Sequence, residues 1–88
     1  AVDPERYPAL ALGYRAARTG GIAGAVLNAA DEAAVALFLD RRIAFTEIVE
    51  RVTRAMDVLV PEDGPLPVPT LDDIRAADAA ARTEVLAC

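Results

Sequence analysis

Lysine, histidine, serine and tryptophan are all absent from the 88 residues, and the one cysteine, Cys88, is the last residue. Each absence removes a chemistry. Without lysine and histidine there is no Schiff-base amine, no usual proton shuttle and no imidazole to ligate a metal. Without serine, and with no base in the chain to activate Cys88, neither a serine nor a cysteine triad can be assembled. A single cysteine forms no internal disulfide and no cysteine-rich metal site. Aromatic residues make up only 5% of the chain. The longest stretch without a charge, Thr19 to Ala30, is too short and too glycine-rich to span a bilayer. The N-terminus opens on Asp3, Pro4 and Glu5 rather than on a basic and then apolar leader, so the chain reads as soluble. Its one methionine is Met56, which leaves open either processing before Ala1 or origin in a longer chain. Nine basic residues, all arginine, stand against fourteen acidic ones for a net charge of −5. Binding nucleic acid by neutralising phosphates needs a basic face, which these scattered arginines do not supply.

What is present points to helices. The length fits a single domain, and an ordinary two-domain cofactor enzyme does not fit in it. Apolar residues reach 55%, with alanine alone at 20 positions, a composition for closely packed helices rather than for a bulky-sided sheet. The pattern predicts a first helix over 8–18, opened by Pro8, stopped by Gly20-Gly21, and striped by Leu10, Tyr14 and Ala17. A second covers 23–39, with Val26, Ala30, Ala33, Ala34, Leu37 and Phe38 on one side; alternatively Asn28 caps a helix that starts later. A third starts after Thr46 as N-cap and runs to Met56 or Leu59, with Ile48, Val49, Val52, Ala55, Met56 and Leu59 inward. Residues 60–69 hold four prolines and a glycine and read as an extended linker. Thr70 and Asp73 form a capping box for a fourth helix whose stripe is Leu71, Ile74, Ala77, Ala81 and Val85. Ile43 and Phe45, in the loop before the third helix, are expected to plug the bundle end. The fold class is all-α: a small four-helix bundle with a Pro-rich linker before the last helix.

The candidate constellations fail on geometry. Asp31-Glu32 and Asp72-Asp73 are adjacent pairs, and neighbours on a helix point about 100° apart, so neither converges on one atom or ion. Asp57, Glu62 and Asp63 lack the spacing of a calcium loop. The stretch from Thr19 to Gly24 has the glycines of a phosphate loop but follows a helix, and no lysine completes it. It reads as a helix stop and restart. Arg41-Arg42 reads as a solvated loop.

One signal covers nearly the whole chain. Arg6-Tyr7-Pro8-Ala9-Leu10 is followed by Gly20-Gly21 and then by the run from Ala25 to Leu39, AVLNAADEAAVALFL. Next come Arg42-Ile43-Ala44-Phe45 and, last, the run from Asp73 to Arg82, DIRAADAAAR. In this order the elements resemble the C-terminal part of the 1-deoxy-D-xylulose 5-phosphate reductoisomerase family. Asp31 departs from it, standing where the family usually has asparagine, so an amide donor is replaced by a carboxylate.

The resemblance implies that residues 1–88 are one C-terminal four-helix domain of a larger reductoisomerase. It implies a parent enzyme that makes 2-C-methyl-D-erythritol 4-phosphate in the non-mevalonate isoprenoid route, using NADPH and Mg²⁺ or Mn²⁺. It implies a cytoplasmic homodimer whose nucleotide-binding and catalytic domains precede this one; the all-arginine basic set points to a bacterial source, and the acidic balance and short apolar stretches to no nucleic-acid or membrane partner. No position matches the family's metal, substrate or NADPH motifs, so no catalytic, cofactor-binding or metal residue is assigned and the fragment itself is expected to need no cofactor. Its expected role is to brace the catalytic domain of the same chain through Tyr7, Pro8, Asn28, Asp31 and Glu32, because polar residues in an alanine-rich helix need partners if buried. The reading from another class is a stand-alone acidic helical adaptor whose groove takes a partner helix.

Overall fold

A computed structural model describes residues 8–60 and 66–87, and every structural statement below concerns those residues. They form four helices and no strand: α1 (Pro8–Thr19), α2 (Ala23–Leu39), α3 (Phe45–Leu59) and α4 (Leu71–Leu86). Consecutive helices run antiparallel. Leu27, Asn28 and Asp31 of α2 lie beside Ile48, Val49 and Val52 of α3, and Leu59 at the far end of α3 lies by Ala76 and Ala77 of α4. α2 and α3 each touch every other helix, whereas α1 and α4 do not meet. The result is a plate of 37 × 34 × 16 Å.

Alanine explains the thinness. The core consists of Ala23, Ala29, Ala30, Ala33 and Ala34 from α2, Ala55 from α3, and Ala77 and Ala81 from α4, filled out by Val26, Val52, Met56, Val60 and Val85. With only methyl groups at the crossings, backbones approach closely and each burial contributes little, so the stability of the plate depends heavily on how its helix ends are satisfied.

The helix ends are satisfied in different ways. Thr70 and Asp73 form the expected capping box, with Asp73 N–H donating to Thr70 Oγ1 at 3.1 Å and Thr70 N–H to Asp73 Oδ2 at 2.9 Å. α1 stops at Gly20 (φ 66°) and Gly21 (φ 55°), both in the left-handed region that glycine enters without penalty. Gly21 also makes room for the linker: Leu66 N–H donates to Thr19 O at 2.7 Å, and a Cβ on Gly21 would overlap Leu66 Cβ. α2 ends in a Schellman motif, with Arg42 N–H on Leu37 O at 2.9 Å and Arg41 N–H on Phe38 O at 3.0 Å. Its left-handed residue is Arg41, φ 58°, where glycine is the usual occupant.

The helices α3 and α4 have no basic residue in their last turns and leave through extended residues, Val60 and Ala87. Their carbonyls are capped from neighbouring helices instead. Arg15 of α1 donates to Met56 O and Val60 O at 3.3 and 3.2 Å. Arg51 of α3 donates to Val85 O at 2.6 Å, and Arg54 donates to Glu84 O and Ala87 O at 2.6 and 2.8 Å. These guanidinium groups supply both the donors and the positive charge that a helix C-terminus favours.

Several expectations are corrected. α3 starts at Phe45 behind Ala44, so Thr46 is not its N-cap; Glu47 accepts from Ala44 N–H at 3.3 Å, and alanine has no oxygen with which to complete the box. Asn28 lies well inside α2 and caps nothing. On α1 the inward stripe is Leu12, Ala16 and Thr19, whereas Tyr14 is 51% exposed and Ala17 faces outward. Leu10, Leu12 and Tyr14 are all apolar, and only contact with α2 and α3 selects among them. On α4 the stripe begins at Ala77, and Leu71 and Ile74 before it are 62% and 38% exposed. Ile43 does plug the bundle end, but Phe45 is 70% exposed and stacks edge-on against Phe38, ring centroids 5.5 Å apart. In the linker, 66–69 is non-helical as expected, and 61–65 lies outside the described residues.

Candidate functional site

The residues singled out in the sequence divide between two faces of α2. Asn28 and Asp31, one turn apart, line the rim of a groove of about 230 Å³ between α1, α2 and α3. Its floor is apolar, formed by Leu12, Leu27, Ile48, Val49 and Val52. Both rim residues are exposed, and neither has a hydrogen-bond or ion-pair partner among the described residues. Glu32, the next residue on α2, points to α4, where its Oε2 lies 3.3 Å from Arg82 Nη2. The adjacent carboxylates of Asp31 and Glu32 therefore diverge as helical geometry requires. Pro8 is the first residue of α1, and Tyr7 lies outside the described residues.

The remaining charges hold the domain together. Arg82 bridges two acids: its Nε donates to Asp78 Oδ1 at 2.7 Å, one turn back on α4, and its Nη2 reaches Glu32. Asp78 first and then Glu32 raise the Arg82 guanidinium above its usual value, so it stays charged throughout the range in which proteins work. Asp57 pairs with Arg15 at 2.6 Å rather than joining an ion site, and Glu62 and Asp63 lie outside the described residues. Asp73 is spent in the capping box, so it does not act jointly with Asp72. Arg54 Nε is buried without a hydrogen bond, 3.6 Å from Glu84 Oε1.

Among the described residues, no three His, Cys, Asp or Glu side chains gather where they could hold a metal ion. The Gly20-Gly21 turn joins two helices and does not form the strand-to-helix corner on which a dinucleotide sits. The described residues therefore offer neither a donor set for a catalytic divalent cation nor a strand-to-helix corner for NADPH. No helix among them is long and apolar enough to cross a membrane. The capping arginines are what sequence reasoning missed: Arg15, Arg51 and Arg54 look like solvated charges in sequence, because the carbonyls they cap are 30 or more residues away.

Fold and surface together define a small all-α domain whose α3 and α4 C-termini are capped by arginines from neighbouring helices, with a polar-rimmed apolar groove on the α1/α2/α3 side. Residues 1–84 match the model of the DXP reductoisomerase C-terminal domain, and the chain belongs to that family. It is 48% identical over 84 residues to the 1-deoxy-D-xylulose 5-phosphate reductoisomerase of Rippkaea orientalis, covering 96% of this chain and 21% of the relative. Identity to the enzyme of the same name from Ralstonia pickettii is 50% over 86 residues, again 96% of this chain and 20% of the relative. Over a shorter stretch of 54 residues it is 59% identical to the Rhodopirellula baltica enzyme, 61% of this chain and 12% of the relative. The chain thus spans about a fifth of the length of the first two of these curated relatives. No solved structure matches it significantly.

Proposed function

We propose that this chain is the C-terminal domain of a bacterial, cytoplasmic enzyme that rearranges and reduces 1-deoxy-D-xylulose 5-phosphate to 2-C-methyl-D-erythritol 4-phosphate. The whole enzyme would use NADPH and Mg²⁺ or Mn²⁺, act in the non-mevalonate isoprenoid route, work as a homodimer, and bind neither nucleic acid nor membrane. Within it, this domain braces the catalytic domain of the same chain and contributes no catalytic group. The observation that carries this reading is the family match along residues 1–84, joined to relatives about five times the length of the matched region. The match does not favour a stand-alone adaptor.

The contact with the catalytic domain is assigned to Tyr7, Pro8, Asn28, Asp31 and Glu32. Support comes from α2, where Asn28 and Asp31 lie exposed at the rim of an apolar groove and have no hydrogen-bond or ion-pair partner among the described residues. The chemistry of rearrangement and hydride transfer belongs to the rest of the enzyme, and the role of this domain is to hold that framework in register.

The test is NADPH oxidation with 1-deoxy-D-xylulose 5-phosphate and Mn²⁺, run on the 88-residue chain and on the full-length enzyme. Turnover only by the full-length enzyme is expected. Turnover by the isolated chain would overturn the assignment of a bracing role, and an inactive full-length enzyme would overturn the activity.

A further inference from the structure

We infer that the α1/α2/α3 groove is filled in the whole enzyme by a segment of the same polypeptide, lying outside these 88 residues, that inserts an apolar side chain beside a basic one. This rests on the reading that the chain is one domain of a longer enzyme, and it narrows the proposed contact to one face and one chemistry.

Three observations carry it. The curated relatives extend for about four-fifths of their length beyond the matched region, so a large covalently attached body is available to cover an exposed surface. Attachment also gives that body a high effective concentration at the groove, so a modest patch is enough to dock it. The groove has the composition of a contact core with a polar edge: Leu12, Leu27, Ile48 and Val49 form its floor, with Asn28 and Asp31 at the rim. Because the plate is only 16 Å thick, Leu27, Ile48 and Val49 stay half-buried, with no further layer above them among the described residues.

Charge sets the chemistry of the occupant. Asp31 has no cation within ion-pair distance among the described residues, whereas Glu32 beside it is already engaged by Arg82. The domain as a whole carries −5, so the occupant that complements the rim brings an arginine or lysine to Asp31 and a hydrogen-bonding group to Asn28. The apolar floor takes the neighbouring side chain. α4 packs on α2 and α3 and does not touch α1, so its exposed residues serve as an internal control.

The experiment is thiol labelling of the full-length enzyme, read by peptide mass spectrometry, with each variant normalised to its own rate in urea. Asn28→Cys and Asp31→Cys, both exposed in the domain taken alone, are expected to label at least about tenfold more slowly than Arg75→Cys on α4. Equal rates at the three positions would overturn the inference. Adding Asp31→Arg to Asn28→Cys is expected to restore fast labelling, and adding Arg75→Glu is not; slow labelling with Asp31→Arg would overturn the basic partner. Hydroxyl-radical footprinting of the unsubstituted enzyme needs no variant to fold: Leu27 and Ile48 should be protected in the whole enzyme relative to Leu37, which is also half-buried but faces α4. The NADPH assay on the same preparation separates the two readings. An active enzyme with an open groove sinks only this inference, and a protected groove in an inactive enzyme sinks only the proposed activity.

Discussion

Arg15 Nη1 lies 2.6 Å from Asp57 Oδ1, while Nη2 of the same guanidinium donates to the last carbonyls of α3. One side chain therefore makes a surface ion pair and a helix cap at once, and the two differ in worth. The Asp57 side chain is 57% exposed and that of Arg15 only 17%. Removing Asp57 gives up an ion pair open to water, about 0–1 kcal/mol. Removing Arg15 takes the side-chain donor from Val60 O, while Met56 O keeps the Val60 N–H at 2.9 Å, a loss of about 1–3 kcal/mol. Arg15→Ala should thus lower the unfolding midpoint well beyond Asp57→Ala, and Arg15→Lys should recover only part because a point charge cannot fork between two carbonyls. Equal midpoints for Arg15→Ala and Asp57→Ala in urea unfolding would contradict the cap.

The two glycines of the α1–α2 turn separate backbone strain from crowding. Gly20 has φ 66° with open space around a Cβ, so Gly20→Ala costs only the left-handed backbone, about 1–2 kcal/mol. Gly21 has φ 55° and would drive a Cβ into Leu66, with Pro67 O at 3.0 Å. Gly21→Ala should cost roughly 1–3 kcal/mol more and release 66–69 from the turn. Amide exchange at Leu66, whose N–H is held by Thr19 O, reads that release.

At the end of α2 the prediction runs the other way. Arg41 occupies the left-handed C′ position of the Schellman motif and makes no ion pair among the described residues. Arg41→Gly relieves that strain and should stabilise the domain by roughly 0.5–1 kcal/mol after the entropy of the added glycine. A higher unfolding midpoint by calorimetry is the expected result.

The alanine crossings predict sensitivity to added bulk. Ala30 and Ala81 are fully buried, so Ala81→Leu should cost about 1–3 kcal/mol as α2 and α4 are pushed apart. Ala79→Leu, on the exposed face of the same helix, should stay within about 0.5 kcal/mol. Side-by-side urea melts of the two variants decide it.

In the whole enzyme, Asn28→Ala should loosen the contact with the catalytic domain and lower both thermal stability and turnover. Unchanged values for both would remove Asn28 from the proposed contact.

Much of this molecule is legible from local pattern. The all-α class, the existence of every helix, the double-glycine stop, the Thr70–Asp73 box and the inward residues of α2 and α3 follow from spacing and capping chemistry that act within about four residues. So does the divergence of Asp31 from Glu32, which needs only the pitch of a helix. What the sequence left undecided lies where local signals are degenerate. α1 carries apolar residues on several sides, so its buried stripe is chosen by contact with α2 and α3, and the first turn of α4 keeps Leu71 and Ile74 exposed, outside the core. Ala44 starts α3 although Thr46 is the better cap by type, since the Schellman turn at Arg41 and the burial of Ile43 determine where the chain can begin to coil again. Arg15, Arg51 and Arg54 become caps only once antiparallel packing brings distant carbonyls to them. The same packing places Asn28 and Asp31 over an apolar floor drawn from three helices. Composition and periodicity determined that the chain forms helices and which chemistries it lacks, because those depend on residue type and near neighbours. The groove and the arginine caps were decided by tertiary structure alone, because the groove gathers side chains from three helices and the caps bring guanidinium groups to carbonyls 30 or more residues away.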